Sequence, residues 1–271
     1  MIVALFLTAL GHAANLSPEA AKAWEDYVQR KNVTPASARE EPFIPIDDAH
    51  PDAWNELRSG KIFVRPAGPS IPKRVPSGLI HDWIAVAFIP DATIPQVMAV
   101  VRDYDHYKDR YHPAVVDSKL LSRNGDVDRF TLLLRNKAVV ETKAEEGDYR
   151  VSYFRLDDHR MYSIAESTRI QEIEHYADAG AHLLPEGEGA GLMWRVDTIT
   201  RFEEYEGGVL VQLEVMVLSR TVPGALCWMI DPIIRRVSRE SLQLSLEQTR
   251  SAVQSAVAQT EASGGKNLAE K

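Results

Sequence analysis

Between Gly78 and Ala258 the spacing of apolar residues changes period in an ordered way. Gly78–Pro90 (GLIHDWIAVAFIP) is an apolar, β-branched and aromatic run interrupted only by His81 and Asp82, the pattern of a strand covered over most of its length. From Thr93 the period becomes helical. Thr93 is an N-cap, Pro95 lies in the first turn, and Ile94, Val97, Met98, Val101 and Tyr104 recur at three- and four-residue steps. After the aromatic and basic stretch Tyr104–Pro113, two-residue alternation predicts strands over Ala114–Leu121, Val127–Arg135, Ala138–Ala144, Tyr149–Leu156, Met161–Glu172, Leu192–Phe202 and Val209–Leu218. Turn residues at Asn124-Gly125, Glu146-Gly147-Asp148, Asp157-Asp158 and Gly207-Gly208 separate most of them, which is hairpin chemistry and predicts an antiparallel meander. Val222 to about Val257 then reads as one long helix, with Pro232 at a kink or restart.

This order predicts an α+β fold in which a curved antiparallel sheet wraps around the long C-terminal helix, because each element has one apolar face to bury. Strand alternation assigns to the concave face Val116, Ser118 and Leu120, then Phe130, Leu132 and Leu134, Val140 and Thr142, Val151 and Tyr153, Trp194, Val196 and Thr198, and Val211, Leu213, Val215 and Val217. The helix answers with Leu226, Trp228 or Met229, Ile230, Ile233, Ile234 and Val237.

The ends read differently. Residues 1–13 are apolar, too short to span a bilayer, and close on Gly11, His12 and Ala13 with a signal-peptidase pattern that lacks the usual basic n-region; the expectation is export to the periplasm or outside the cell. Ser17-Pro18 opens a short amphipathic helix that runs to about Arg30. Eight of the 15 prolines then fall between Pro35 and Pro76, so residues 14–76 read as that helix plus a proline-rich arm without regular helix, in which Lys61–Arg65 is one edge strand. Residues 77–258 form the main domain, and 259–271 a frayed polar tail.

Over the main domain the chain resembles the helix-grip superfamily (SRPBCC), which includes START lipid-transfer domains, polyketide cyclases and aromatases, coenzyme-Q-binding START proteins and the birch pollen allergen (Bet v 1-like) fold. The resemblance rests on Phe88–Leu121, a strand and helix followed by an Asp-Tyr pair, an aromatic loop and a second strand, and on the closing helix VPGALCWMIDPIIRRVSRESLQLSLEQT. It implies a deep apolar cavity between sheet and helix that holds a lipid, quinone, sterol or polyketide.

Composition and charge narrow the chemistry. The 271 residues carry 39 acidic and 31 basic side chains, a formal charge of −8, which disfavours a nucleic-acid partner and leaves transient membrane contact and oligomeric state open. The single Cys227 forms no intrachain bridge and reads as a buried thiol beside Trp228, and no spacing supports a metal site or a cofactor. Nucleophile-elbow, zincin and P-loop signatures are absent, and the glycines of Glu186–Leu192 lead into a strand, where a dinucleotide fingerprint needs a helix.

The expected ligand contacts are therefore Trp83, Tyr104, Tyr107, Tyr111, Phe130, Leu132, Leu134, Tyr153, Trp194, Thr198, Leu213, Val217, Trp228, Ile233 and Val237, with Arg195 and Glu214 as a candidate inward-pointing polar anchor. The expected function is an exported START-like protein that binds a hydrophobic or amphipathic small molecule. The alternatives are a cyclase or aromatase-type enzyme using the same cavity, and an interaction protein that uses the arm from Thr34 to Pro76.

Overall fold

The computed structural model describes residues 14–31, 42–46, 52–137, 142–176, 178–221 and 227–269. The apolar leader, Val140, Leu226 and the side chains of Cys227, Trp228, Met229 and Ile230 lie outside the described residues.

Helix α1 (Pro18–Lys31) starts where Ser17 Oγ accepts the Ala20 N–H at 3.1 Å, an N-cap bond that satisfies one of the first-turn donors. The arm does contain a helix, α2 (Ala53–Arg58), against expectation. The stretch between Pro51 and Pro66 has no proline, so nothing there blocks N–H to C=O pairing. Strands β1 (Phe63–Pro66) and β2 (Lys73–Val75) both pair with the long β3 (Gly78–Pro90). Helix α3 (Ile94–Val101) follows, its start fixed by the Thr93 N–H donating to Gln96 Oε1 at 2.8 Å, and then the single turn α4 (Tyr107–Arg110).

The meander comprises β4 (Val115–Asn124), β5 (Val127–Lys137), β6 (Thr142–Arg155), β7 (Arg160–Glu174), β8 (Arg195–Tyr205) and β9 (Gly208–Arg220). Together with β1–β3 they form an antiparallel sheet of ten strands in the spatial order β1-β3-β9-β8-β7-β6-β5-β4, with β2 also on β3 and the short segment His182–Leu183 on β7. The first long strand thus lies beside the last, and α3 and α4 carry the chain from one side of the sheet to the opposite edge.

Two turns predicted from glycine behave differently. Glu206 and Gly207 both take positive φ, 42° and 82°, and make the two-residue turn between β8 and β9, so Gly208 is already in the strand. Gly147 is no turn at all. It lies inside β6 opposite Leu132, and a Cβ there would fall 2.6 Å from the Tyr149 hydroxyl: the tyrosine ring folds over the glycine and occupies the side-chain space. The two strands expected over Ala138–Ala144 and Tyr149–Leu156 are accordingly parts of one strand.

The C-terminal helix α5 (Cys227–Ala269) has Pro232 within its first turns and runs well past the expected end near Val257, so the tail to Ala269 is helical. The intervening Ser-Ala-Val-Gln repeats have good helical propensity, and the two glycines alone do not end it. On one line of α5, Leu242, Leu246, Thr249 and Val253 are buried against β1, β3, α3 and α4. This side is the inner face of the sheet, where the core includes Trp83, Ala85, Ala87 and Ile89 of β3, Val209 and Val211 of β9, Phe202 of β8 and Phe130 of β5. Even-numbered positions of β3 and β9 turn to the outer face.

That outer face is closed by the N-terminal residues. Trp24 and Tyr27 of α1 pack with Ile80, Ile199, Met216 and Leu218, while Phe43, Ile44 and Leu57 of the arm pack with Val86, Phe88, Tyr162 and Leu210. The arm is thus a cover for the sheet. Beneath α1 lies a buried ionic clasp: Lys31 Nζ lies 2.8 Å from Asp82 and 2.7 Å from Glu214, and the Tyr27 hydroxyl donates to Asp82 at 2.6 Å. Asp82 is fully buried, and burial is survivable because the ammonium and the phenol answer its charge. Lys31→Ala leaves two buried carboxylates without their ammonium; urea unfolding at pH 7 should show a loss of about 2–4 kcal/mol, with Lys31→Arg losing less. An unchanged midpoint would show that the clasp contributes nothing.

Candidate functional site

The inner face is not sealed along its whole length. Near α3 and the Leu242–Val253 stretch of α5 it is packed tight, yet further along β9 Leu213, Val215 and Val217 are only half-buried, and the same holds for Val196 and Thr198 on β8 and Leu132 and Leu134 on β5. Alternation puts them all on the inner face: the β9 and β8 residues are neighbours, and Leu132 and Leu134 of β5 follow beyond Gly147 and Glu145 of β6 and Ile170 and Glu172 of β7. Outer-face neighbours on β9, Gln212, Glu214, Met216 and Leu218, are buried instead. The inequality between the two faces identifies the groove between the inner wall and α5 as the candidate site.

The aromatic loop fills one end of this wall. Tyr104 stacks on Phe130 with ring centroids 4.3 Å apart, Phe130 stacks on Tyr149 at 5.1 Å, and Tyr107 leans on Tyr104 at 5.2 Å and on Tyr111 at 4.9 Å. Their polar tips are already used. The Tyr104 and Tyr153 hydroxyls share a hydrogen bond of 2.5 Å, and Tyr107 donates to the Val101 carbonyl. Thr249 donates its own proton to the Ser245 carbonyl, so Tyr111 donates to Thr249 Oγ1, at 2.9 Å. Burial raises Tyr104 and Tyr107 well above the ordinary phenol value and takes Tyr153 to about 12. Arg102 lies 4.5 Å from the Tyr153 ring centre and, with Arg123, grips the fully buried Asp128. The rings, expected as ligand contacts, pack on one another as a plug and close this end of the groove.

Of the remaining expected contacts, Trp83, Phe130 and Tyr153 are on the inner face and buried, and Leu132, Leu134, Thr198, Leu213 and Val217 line the half-open wall. Three expectations fail. Trp194 is on the outer face, packed with Trp24 and Ile199, because it precedes β8 and its ring folds over Gly191, whose φ of 66° admits the close approach. Ile233 and Val237 are 37% and 49% exposed on the side of α5 turned from the sheet: they are half a turn away from the buried Leu242–Leu246 line.

The third failure is the polar anchor. Arg195 faces Leu218 in the ladder and Glu214 faces Ile199, four rungs apart, and both side chains are on the outer face. Glu214 binds Lys31 and lies 3.9 Å from Arg201, while Arg195 lies 3.0 Å from Glu186. One polar pair that does occupy the inner face joins the ends of β3 and β9. His81 Nε2 and Ser219 Oγ are 2.9 Å apart, both about nine-tenths buried, on β3 and β9 at the end opposite the tyrosine plug. A histidine inside an otherwise apolar strand was the available signal; Ser219 carried none until the register set it diagonally across the ladder.

Among the described residues no cluster of metal-ligating side chains occurs, and no helix is long and apolar enough to cross a membrane. The architecture, a sheet holding a long C-terminal helix across its inner face, is the helix-grip arrangement of START and Bet v 1-like proteins. No protein-family model and no curated protein sequence matches the chain. Solved structures that resemble it include a STAR-related lipid transfer protein from Xanthomonas axonopodis, 16% identical over 70% of this chain and 98% of that one, with a TM-score of 0.47. Human STARD10 is 9% identical over 83% and 86% of the two chains, TM-score 0.45, and the Zhui aromatase/cyclase from Streptomyces sp. R1128 is 10% identical over 66% and 96%, TM-score 0.44.

One titratable group on the outer face gives a pH test. Asp197 is buried opposite Glu166, and burial, reinforced by that neighbouring charge, pushes its pKa up to about 7, against the pull of the Ser167 N–H and Arg195. A carboxyl raised on folding binds its proton more tightly in the native state, so its contribution to stability is lost as pH rises from the unfolded value, about 4, through about 7. Asp197→Asn should raise the melting temperature at pH 8 and leave it little changed at pH 4; an equal shift at both values would remove Asp197 as the titrating group.

Proposed function

We propose that the chain is a START-like binding protein whose inner groove holds one hydrophobic or amphipathic small molecule. The supporting observation is the half-open apolar wall formed by Leu132, Leu134, Val196, Leu213, Val215 and Val217 opposite a helix whose buried residues, among those described, run from Leu242 to Val253. Apolar surface left partly in water on the inner face, while the outer-face neighbours on β9 are buried, fits an occupant from solution. We also assign the protein to the exported class, on the apolar leader and its small-residue end.

The cyclase reading requires ionisable groups that converge on the ligand. Arg195 and Glu214 face the opposite side, and the tyrosine hydroxyls bond to one another or to nearby backbone and threonine; the ionisable pair that register does place on the inner face is Glu145 and Glu172, buried and facing each other on β6 and β7, and it is the one observation that favours the cyclase reading.

Titration with Nile red, a neutral apolar dye, tests it. The wild type should bind saturably at one site. Val215→Trp, which places an indole in the half-open part of the groove, should weaken binding about tenfold or more with the melting temperature retained. Saturable binding that the tryptophan leaves untouched would move the site elsewhere.

A further inference from the structure

The two ends of β3 and β9 differ in charge. Where β9 begins, a recess of about 390 Å³ is lined by Asp91, Glu204 and Glu206 with no cation in its wall. Where β9 ends, a recess of about 330 Å³ is lined by Lys73, Arg74 and Arg235, beside Ile71, Pro72 and Leu79, with no acid among the described residues of its wall. In a chain of formal charge −8 the second recess is a local reversal of sign.

The helix points its cations there. The line of α5 that carries buried Val253, Thr249, Leu246 and Leu242 continues toward the N-terminus as Arg239 and Arg235, at four- and three-residue steps. The sheet-facing side of the helix thus changes from apolar to cationic where the groove opens. Arg235 is held in position by Nη2 donating to the Ile71 carbonyl at 2.7 Å, which leaves further guanidinium N–H groups for a ligand. Arg74 is opposite Leu79 across the β2–β3 ladder, on the inner side, whereas Lys73 turns its ammonium toward the Tyr27 ring, 5.2 Å from the centroid. Leu79 also faces Ser219 across the β3–β9 ladder, so the buried His81–Ser219 pair lies directly behind the recess.

We propose that the occupant of the groove is an anionic amphiphile, its headgroup seated between Arg74 and Arg235 and its apolar tail running along Val217, Val215 and Leu213. The inference rests on the binding function proposed above and adds the charge and the direction of the ligand. A carboxylate or a phosphate suits the guanidinium forks equally well.

Calorimetric titration of the full chain with dodecanoate, dodecyl phosphate and dodecanol, each below its aggregation concentration, separates the possibilities. Both anions should bind at least about tenfold more tightly than dodecanol, and the tighter of the two identifies carboxylate or phosphate as the preferred headgroup. Arg235→Gln and Arg74→Gln should each remove most of that advantage and leave dodecanol binding unchanged, with Arg235→Lys retaining part of it. Equal binding of all three ligands, or dodecanoate binding indifferent to both glutamine variants, overturns the anionic headgroup while the groove remains a binding site. Absence of binding by all three overturns the groove itself and the headgroup with it.

Discussion

An antiparallel sheet has two faces to remove from water, and here they are closed by unequal means. The outer face receives Trp24 and Tyr27 from α1, Phe43 and Ile44 from the arm and Leu57 from α2. The inner face receives α5, which packs through Leu242, Leu246 and Val253, while half-buried Leu213, Val215 and Val217 extend beyond that contact. Every functional feature of the molecule follows from this asymmetry, because it decides which polar groups are structural and which face the groove.

Charge follows the same division. Asp82 and Glu214 sit in the middle of the sheet and would read as a reactive pair in isolation. Register puts them under α1, where the Lys31 ammonium bridges them and Tyr27 donates to Asp82, which makes the N-terminal helix part of the fold. On the groove side Arg235 and Arg74 lie at one end with the His81–Ser219 pair behind them, and the buried Glu145 and Glu172 face each other on β6 and β7 beside Leu134. The tyrosine plug terminates the other side of the wall and joins α3, α4, β5 and β6 into one aromatic block.

Much of the architecture was readable from periodicity. The continuous apolar run of β3, the Thr93 cap, the meander and the final helix are all local signals, and each element exists. The errors were errors of register and of side. Glycine at Gly147 reads as a turn until Tyr149 is seen folded over it, and no local pattern contains that long-range choice. Arg195 and Glu214 alternate plausibly in their own strands; only the ladder shows them four rungs apart and facing outward. On α5, Ile233 and Val237 obey a helical period that lies opposite the buried line, because Arg235 and Arg239 take the sheet-facing positions. A strand position has two faces to choose between and a helix has a full circle, so the inner-face positions of the strands (Leu132, Leu134, Thr198, Leu213 and Val217) were recoverable, whereas the sheet-facing positions of the helix were not.

The central claim is that the inner face is completed by a bound small molecule. The most direct test is native mass spectrometry of the full chain purified without detergent from its expression host, followed by solvent extraction of the same sample. The account predicts a discrete mass increment of one small molecule per chain, removed by the solvent, with the extracted protein losing thermal stability and regaining it when the extract is returned. A chain that carries no adduct, takes none from the extract and melts at the same temperature before and after extraction would contradict it.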